Sequence, residues 1–358
     1  MQVLVAPAAF KETLSPRAVT DAMVAGVRQA MPDARILACP VADGGDGLLE
    51  VVLGPEALRE AVQVTGPRGD PVVAELGWID PVTAIFESRT ACGLALVPPG
   101  SRDPLRTTTR GVGELVWEAI ERGAETVIVG LGGSATVDAG TGAARALGWE
   151  FYDPRGAPLP EGGGALADLG RMEGGWALAA RIVALTDVAN PLVGPTGAAP
   201  EFGPQKGASA AGVERLSAGL QRVAELFALH GRRELATAAG GGAAGGLGAG
   251  LAFFAGARLV PGAEWVLERV GFDAALAMAD LVMTGEGRFD RTSFAGKAPG
   301  EVVRRAQQAR KRVAVVCGAS SELVGVPVAS AEGRLLRPDD ITALAERATR
   351  EAFGLPLP

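Results

Sequence analysis

The stretch VIVGLGGSATVDAGTG, Val127 to Gly142, passes from an apolar run through glycines into residues that open a helix. A short apolar run bounded by glycine reads as a buried strand, and the glycine turn after it as the exit of a βα unit. The loop has neither a lysine nor GxxxxGK[ST] spacing. A phosphate held here would rest on backbone N–H groups, the Ser134 and Thr136 hydroxyls and the helix start near Asp138. Asp138 reads equally as a helix cap or as a metal or hydroxyl partner. A glycine-rich strand exit alone is a weak signal.

The same texture extends outward. VLVA near the N-terminus precedes a helix opened by Ser15-Pro16, and RILACPV precedes DGLLEVVLG. This βαβα order implies a parallel sheet. After Thr65 the segment DPVVAELGWIDPVTAIFES alternates apolar and polar residues on both sides of Asp80-Pro81, the pattern of an antiparallel hairpin. Parallel-type strands return at 126–131 and 182–187, and again in DLVMTGEG and VAVVCGAS. The expected fold is α/β: a Rossmann-like parallel-sheet domain formed by both chain ends, residues 1–64 and 272–358, with an inserted mixed α/β domain at 65–271. A chain of 358 residues exceeds what one core usually supports, which agrees with two domains.

Composition excludes several functions. The chain is 48% hydrophobic and 21% charged, outside the range of disorder, and its net charge of −7 argues against nucleic acid or an anionic membrane as partner. Leu235 to Ala257 carries no charge, but Gly and Ala dominate it, so it is not read as a membrane span. Cys39, Cys92 and Cys317 lie far apart without CxxC, which points to a reducing cytoplasm and no zinc site, and the N-terminus reads as a strand rather than a signal peptide. His230 is the only histidine and stands at a helix end, so histidine-based catalysis loses its base.

What remains is carboxylates, lysines and glycine loops, the parts of phosphoryl transfer. Of 34 basic residues only Lys11, Lys206, Lys297 and Lys311 are lysines, and the first three sit in Gly/Pro-rich or strand-exit segments where a compact ammonium suits an anion. Asp43 and Asp46, among Gly44, Gly45 and Gly47 after the second strand, suit Mg²⁺ or a substrate hydroxyl, or a plain capped turn. Asp187 ends a strand with Asn190 three residues on, a pattern of either a Mg²⁺ pair or an Asx-turn. Glu286, Arg288, Asp290 and Lys297 crowd one glycine-rich strand exit.

Taken in order, ADGGDG, TTTRGVGELV, GLGGSATVDAGTGAARALG, TDVANPL, FGPQKGA, GGGAAGGLGAGL and DLVMTGEGRFD with GKAP resemble the type 1 glycerate kinases over nearly the whole chain. The resemblance implies a two-domain kinase that passes the γ-phosphoryl of ATP to a hydroxyl of D-glycerate with Mg²⁺; of the two products, 2-phosphoglycerate is favoured over 3-phosphoglycerate. With it, catalysis is expected from Lys11, Asp43 and Asp187, and glycerate binding from Lys11, Asp43, Gly44, Asp46 and Arg288. Phosphate binding is expected from Gly132, Gly133, Ser134, Thr136, Lys206, Glu286 and Lys297, and metal binding from Asp187, Asn190 and Asp290. The expected state is a monomer or homodimer. Where the family usually reads Asp-Ser-Phe-Lys-Gly, this chain has Ala8-Ala9-Phe10-Lys11-Glu12. The alternative is therefore a weakened paralogue that binds glycerate or nucleotide without turnover.

Overall fold

The computed structural model describes residues 1–10, 13–54, 57, 59–321, 326–333 and 336–357. In chain order its strands are β1 (Gln2–Val5), β2 (Arg35–Ala38), β3 (Arg59–Thr65), β4 (Pro71–Asp80), β5 (Thr83–Glu87), β6 (Thr126–Leu131), β7 (Trp149–Tyr152), β8 (Arg171–Gly174), β9 (Arg181–Thr186), β10 (Arg258–Pro261), β11 (Leu281–Phe289), β12 (Arg312–Ser320) and β13 (Val328–Ser330). The chain divides into two compact units, Met1–Gly54 with Gly262–Pro358, and Pro55–Pro261. The division falls ten residues before each boundary drawn from the sequence. β3 goes with the second unit because it pairs antiparallel with β4 along its whole length, Arg59 opposite Gly77 to Thr65 opposite Pro71.

The first unit is a five-stranded sheet in the order β13-β12-β11-β1-β2, every neighbouring pair parallel. Val3, Val5, Met283 and Val316 face helices Pro16–Ala30 and Pro338–Phe353, while Leu4, Val282 and Val315 face the core built with helices Gly262–Arg269, Phe272–Met278 and Ala298–Gln308. Strands buried on both faces have no polar side to show, which is why they read as unbroken apolar runs. Ser15 caps helix Pro16–Ala30 by accepting from the Ala18 N–H, with Pro16 in the first turn. A cap of this kind contributes about 1 kcal/mol.

The second unit is a six-stranded mixed sheet in the order β10-β9-β6-β5-β4-β3, with the small antiparallel pair β7-β8 beside it in sequence. β10, β9, β6 and β5 run parallel, and the hairpin of β4 and β5 together with β3 supplies the antiparallel edge. The uncharged segment 235–257 contains helix Ala243–Phe254, whose first turns are broken by left-handed residues 244–246. No helix among the described residues is long and apolar enough to cross a membrane.

Candidate active site

In the first unit the C-terminal ends of β1, β2, β11 and β12 surround a cavity of about 510 Å³, where ligands collect in open α/β sheets. Asp43, Asp46, Glu286, Arg288 and Lys297 all line it, joined by Ala8 and Ala9. Asp43 and Glu286 are each only 8% exposed. The Asp43 Oδ1 accepts the Gly45 N–H at 3.4 Å across the turn that Gly44 makes with φ 94°. Lys297 Nζ lies 3.7 Å from Glu286 Oε2 and donates to Thr292 Oγ1 at 3.1 Å. Lys11, expected in this group, lies outside the described residues.

Asp290 stands at the head of a short turn. Its Oδ1 accepts the Thr292 N–H at 2.8 Å and the Thr292 hydroxyl at 2.6 Å, its Oδ2 accepts Arg288 Nε at 3.1 Å, and Ser293 closes the capping box. The Thr292 hydroxyl bond is the main cause of a pKa held below the usual carboxylate range. Three of its roughly four acceptor sites thus serve the turn that carries Arg288.

In the second unit β6 and β9 are parallel neighbours with Leu131 opposite Thr186, so the glycine loop and Asp187 follow from adjacent strand ends. Gly133 has φ 61°, a conformation that suits glycine. The loop is stitched to the segment before it: Leu94 N–H donates to the Gly133 carbonyl at 2.7 Å, and Ala135 N–H to the Cys92 carbonyl at 2.8 Å. Ala135 therefore has no amide to offer a phosphate. Asp138 accepts from the Thr109 N–H and hydroxyl, both at 2.9 Å, and from the Gly140 and Gly142 amides. Burial raises its pKa against the pull of those four donors, and the side chain ties the loop to the helix start, where Gly140 holds the N-cap position.

The positive charge of this loop comes from seventy residues downstream in sequence. Lys206 is 4% exposed, and its Nζ donates to Ser134 Oγ and to the Thr136 carbonyl, each at 2.8 Å. An ammonium has three N–H donors, and the described residues accept two. Burial lowers the Lys206 pKa from 10.5 to about 8, opposed by the charges of Asp138 and Asp187. The Cys92 thiol, pushed by burial up to about 12, is neutral in that range and adds no charge. The Thr136 hydroxyl, beside that thiol, has no other hydrogen-bond partner among the described residues. Glycine permits the close packing here as well: Gly245, with φ 73°, would place a Cβ 1.9 Å from the Thr136 carbonyl oxygen.

Gly132, Gly133, Ser134, Thr136, Lys206 and Asp187 thus converge in the second unit, and Asp43, Gly44, Asp46, Glu286, Arg288 and Lys297 in the first. Asn190 Nδ2 donates to the Thr196 carbonyl at 2.8 Å and holds a turn after β9. Among the described residues no group of three or more His, Cys, Asp or Glu could enclose a metal ion.

The family model described as "Glycerate kinase family" matches residues 3–332. The chain belongs to the glycerate kinase family. Members of this family are phosphotransferases with an alcohol acceptor. A protein named glycerate 2-kinase from Escherichia coli K12 is 42% identical over 335 residues, 91% of this chain and 87% of that one. A protein named glycerate kinase from Halalkalibacterium halodurans is 39% identical over 88% of this chain and 85% of its own length. The crystal structure of a candidate glycerate kinase 2 from Salmonella typhimurium LT2 superposes with a TM-score of 0.79 at 39% identity, covering 99% of this chain and 96% of that one. The glycerate kinase architecture and the α/β reading of the sequence therefore agree.

Two buttresses of the glycerate kinase loop carried no assignment from sequence. Thr107 donates to the Ala135 carbonyl at 2.9 Å, and Thr109 anchors Asp138; both side chains are buried. The signal available was the run Thr107-Thr108-Thr109 just before a helix, hydroxyls placed where they can bond backbone. Cys92 had no local signal at all.

Proposed function

We propose that this glycerate kinase transfers the γ-phosphoryl of ATP to the 2-hydroxyl of D-glycerate with Mg²⁺, in the cytoplasm. The observation that carries the reading is the buried Lys206 ammonium, held by Ser134 and Thr136 with one N–H unspent beside a strand-end carboxylate. An ammonium taken out of water at this cost is explained by an anion that restores its solvation. The 2-hydroxyl is supported by the name of the Escherichia coli relative. ATP and Mg²⁺ follow from the family's chemistry, and the cytoplasm from three buried free cysteines.

In the transfer an O–P bond forms at the glycerate hydroxyl oxygen, the bond from the γ-phosphorus to its bridging oxygen breaks, and the hydroxyl proton leaves to a carboxylate. We assign that proton to Asp43, the buried carboxylate of the first-unit cavity, and the glycerate carboxylate to Lys297 and Arg288. In the second unit Lys206 meets phosphate oxygen. Mg²⁺, when bound, neutralises charge on the phosphates, and Asp187 is the residue that would hold it. Few protein ligands are needed, because Mg²⁺ completes its shell with substrate oxygens and water. Asn190, whose Nδ2 bond to the Thr196 carbonyl leaves its amide oxygen out of that contact, and Asp290 are the further oxygen donors proposed for it. Positioning and charge neutralisation supply most of the rate in such transfers, so the demands on the base are modest.

The reading is tested by ADP release from purified protein with MgATP and D-glycerate, followed by NMR of the phosphorylated product. D-glycerate-dependent ADP release with phosphate on O2 is expected. Phosphate on O3 would refute the regiochemistry, and absence of glycerate-dependent release would revive the non-catalytic paralogue, which catalytically named relatives at 39–42% identity do not favour.

A further inference from the structure

The second unit holds another cavity, of about 430 Å³, that shares no lining residue with the site described above. It opens beside β3, the edge strand of the six-stranded sheet, and is walled by helix Arg110–Glu121 and the end of helix Thr141–Ala146. Its volume lies in the range of small-molecule sites. Trp117 and Trp176 form one corner, ring centroids 4.6 Å apart at 55°, and Trp176 remains 51% exposed. An indole kept half in water at a cavity mouth is an open π-face for another ring.

Two arginines and two glutamates line this corner, and they differ in which of their hydrogen-bonding groups are spent. Glu114 spends both carboxylate oxygens on Thr65, accepting its N–H at 2.6 Å and its hydroxyl at 2.8 Å, and Glu118 Oε1 accepts two N–H groups from Arg122. Arg110 bonds Glu161 through Nε and one terminal nitrogen. Arg145, packed over the Phe151 ring at 5.1 Å, donates to one acceptor only among the described residues, the Leu159 carbonyl. A guanidinium carries five N–H donors and keeps its charge at any ordinary pH. Arg110 thus holds Glu161, while Arg145 keeps N–H donors unspent among the described residues. Burial lowers the Arg145 pKa, and the like charge of Arg110 adds to that, against the pull of the Glu161, Asp138 and Glu150 carboxylates.

We propose that this cavity binds a small aromatic anion, its ring on the Trp117–Trp176 corner and its carboxylate or phosphate on Arg145 and the outer N–H groups of Arg110. The proposal is independent of the transfer chemistry, since neither tryptophan nor either arginine is assigned a role in it. The tryptophans also supply the readout. Trp78 Nε1 donates to Glu60 and Trp149 Nε1 to the Phe254 carbonyl, both outside this cavity, so their signals serve as internal controls.

The experiment titrates the ¹⁵N-indole-labelled full chain with phenyl phosphate, phenylacetate and the neutral benzyl alcohol, with Trp117→Phe and Trp176→Phe assigning the signals. Saturable shifts of the Trp117 and Trp176 resonances are expected with at least one anion, not with benzyl alcohol, and the stronger of the two anions distinguishes phosphate from carboxylate recognition. Arg145→Met should weaken that binding on the order of tenfold or more, from loss of a charged hydrogen bond, with Arg145→Lys between. Trp176→Ala, at a half-exposed position that leaves the core intact, should weaken it without a change in melting temperature. No saturable shift up to about 10 mM of either anion, equal shifts with benzyl alcohol, or unchanged affinity in folded Arg145→Met or Trp176→Ala would overturn the proposal.

Discussion

Raising the pH from about 7 to about 9 should weaken the binding of 2-phosphoglycerate roughly tenfold, and Lys206→Met should abolish that dependence. The magnitude comes from Lys206, buried, bonded to Ser134 Oγ and the Thr136 carbonyl, with a pKa lowered by burial to about 8. On that value roughly nine-tenths of the molecules carry the ammonium at pH 7 and roughly one-tenth at pH 9, a ratio worth about 1 kcal/mol. The phosphate's own second ionisation, near 6, is largely complete at both ends and contributes little. Calorimetric titration of the wild type and Lys206→Met at both pH values gives the two slopes. A wild-type affinity that changes less than about twofold, or an equal slope in the variant, would refute the assignment of Lys206 to phosphate. Stability of the ligand-free protein moves the other way. Between about 8 and 10.5 the unfolded chain keeps a proton that folded Lys206 has lost, so stability rises with pH across that window relative to Lys206→Met and is flat below it. The full rise is about 3 kcal/mol.

Three further outcomes are expected. Ser134→Ala should destabilise the second unit by about 1–3 kcal/mol near neutral pH, because it removes one of two acceptors from a buried ammonium, and by less near pH 10, where Lys206 is neutral; denaturation curves at the two pH values check this. Asp187→Asn should lower kcat on the order of 100-fold with the melting temperature little changed, and a parallel fall in both would make Asp187 structural. Gly245→Ala should destabilise by about 2 kcal/mol or more, since its Cβ would meet the Thr136 carbonyl at 1.9 Å from a left-handed backbone, and an unchanged melting temperature would contradict that geometry.

The α/β class, the discontinuous parallel sheet and the β4–β5 hairpin were legible in the sequence because each depends on local periodicity: runs such as VLVA and TVIVGL for strands covered on both faces, alternation in PVVAELGWID for one covered on a single face. The glycine loop was legible too, since Gly133 needs a positive φ that few other residues adopt. Side-chain partners were not. Asp138, Asp187 and Asp290 look alike as acids near glycines, yet Asp138 accepts from Thr109 and the loop amides while Asp290 accepts from Thr292 and Arg288, partners that no local pattern names. The Ser134 hydroxyl, which in sequence is one small group on a phosphate loop, is the acceptor that holds Lys206. Pairings across seventy residues are set by which strand ends lie side by side, β6 next to β9 and the turn of Lys206 folded onto both. Burial then gives them their energies: an ammonium on an exposed loop is worth little, and the same group at 4% exposure has its pKa lowered to about 8. Residue types along the chain determined what chemistry was available, and desolvation, which exists only once the chain has closed around a group, decided which of those residues it acts on.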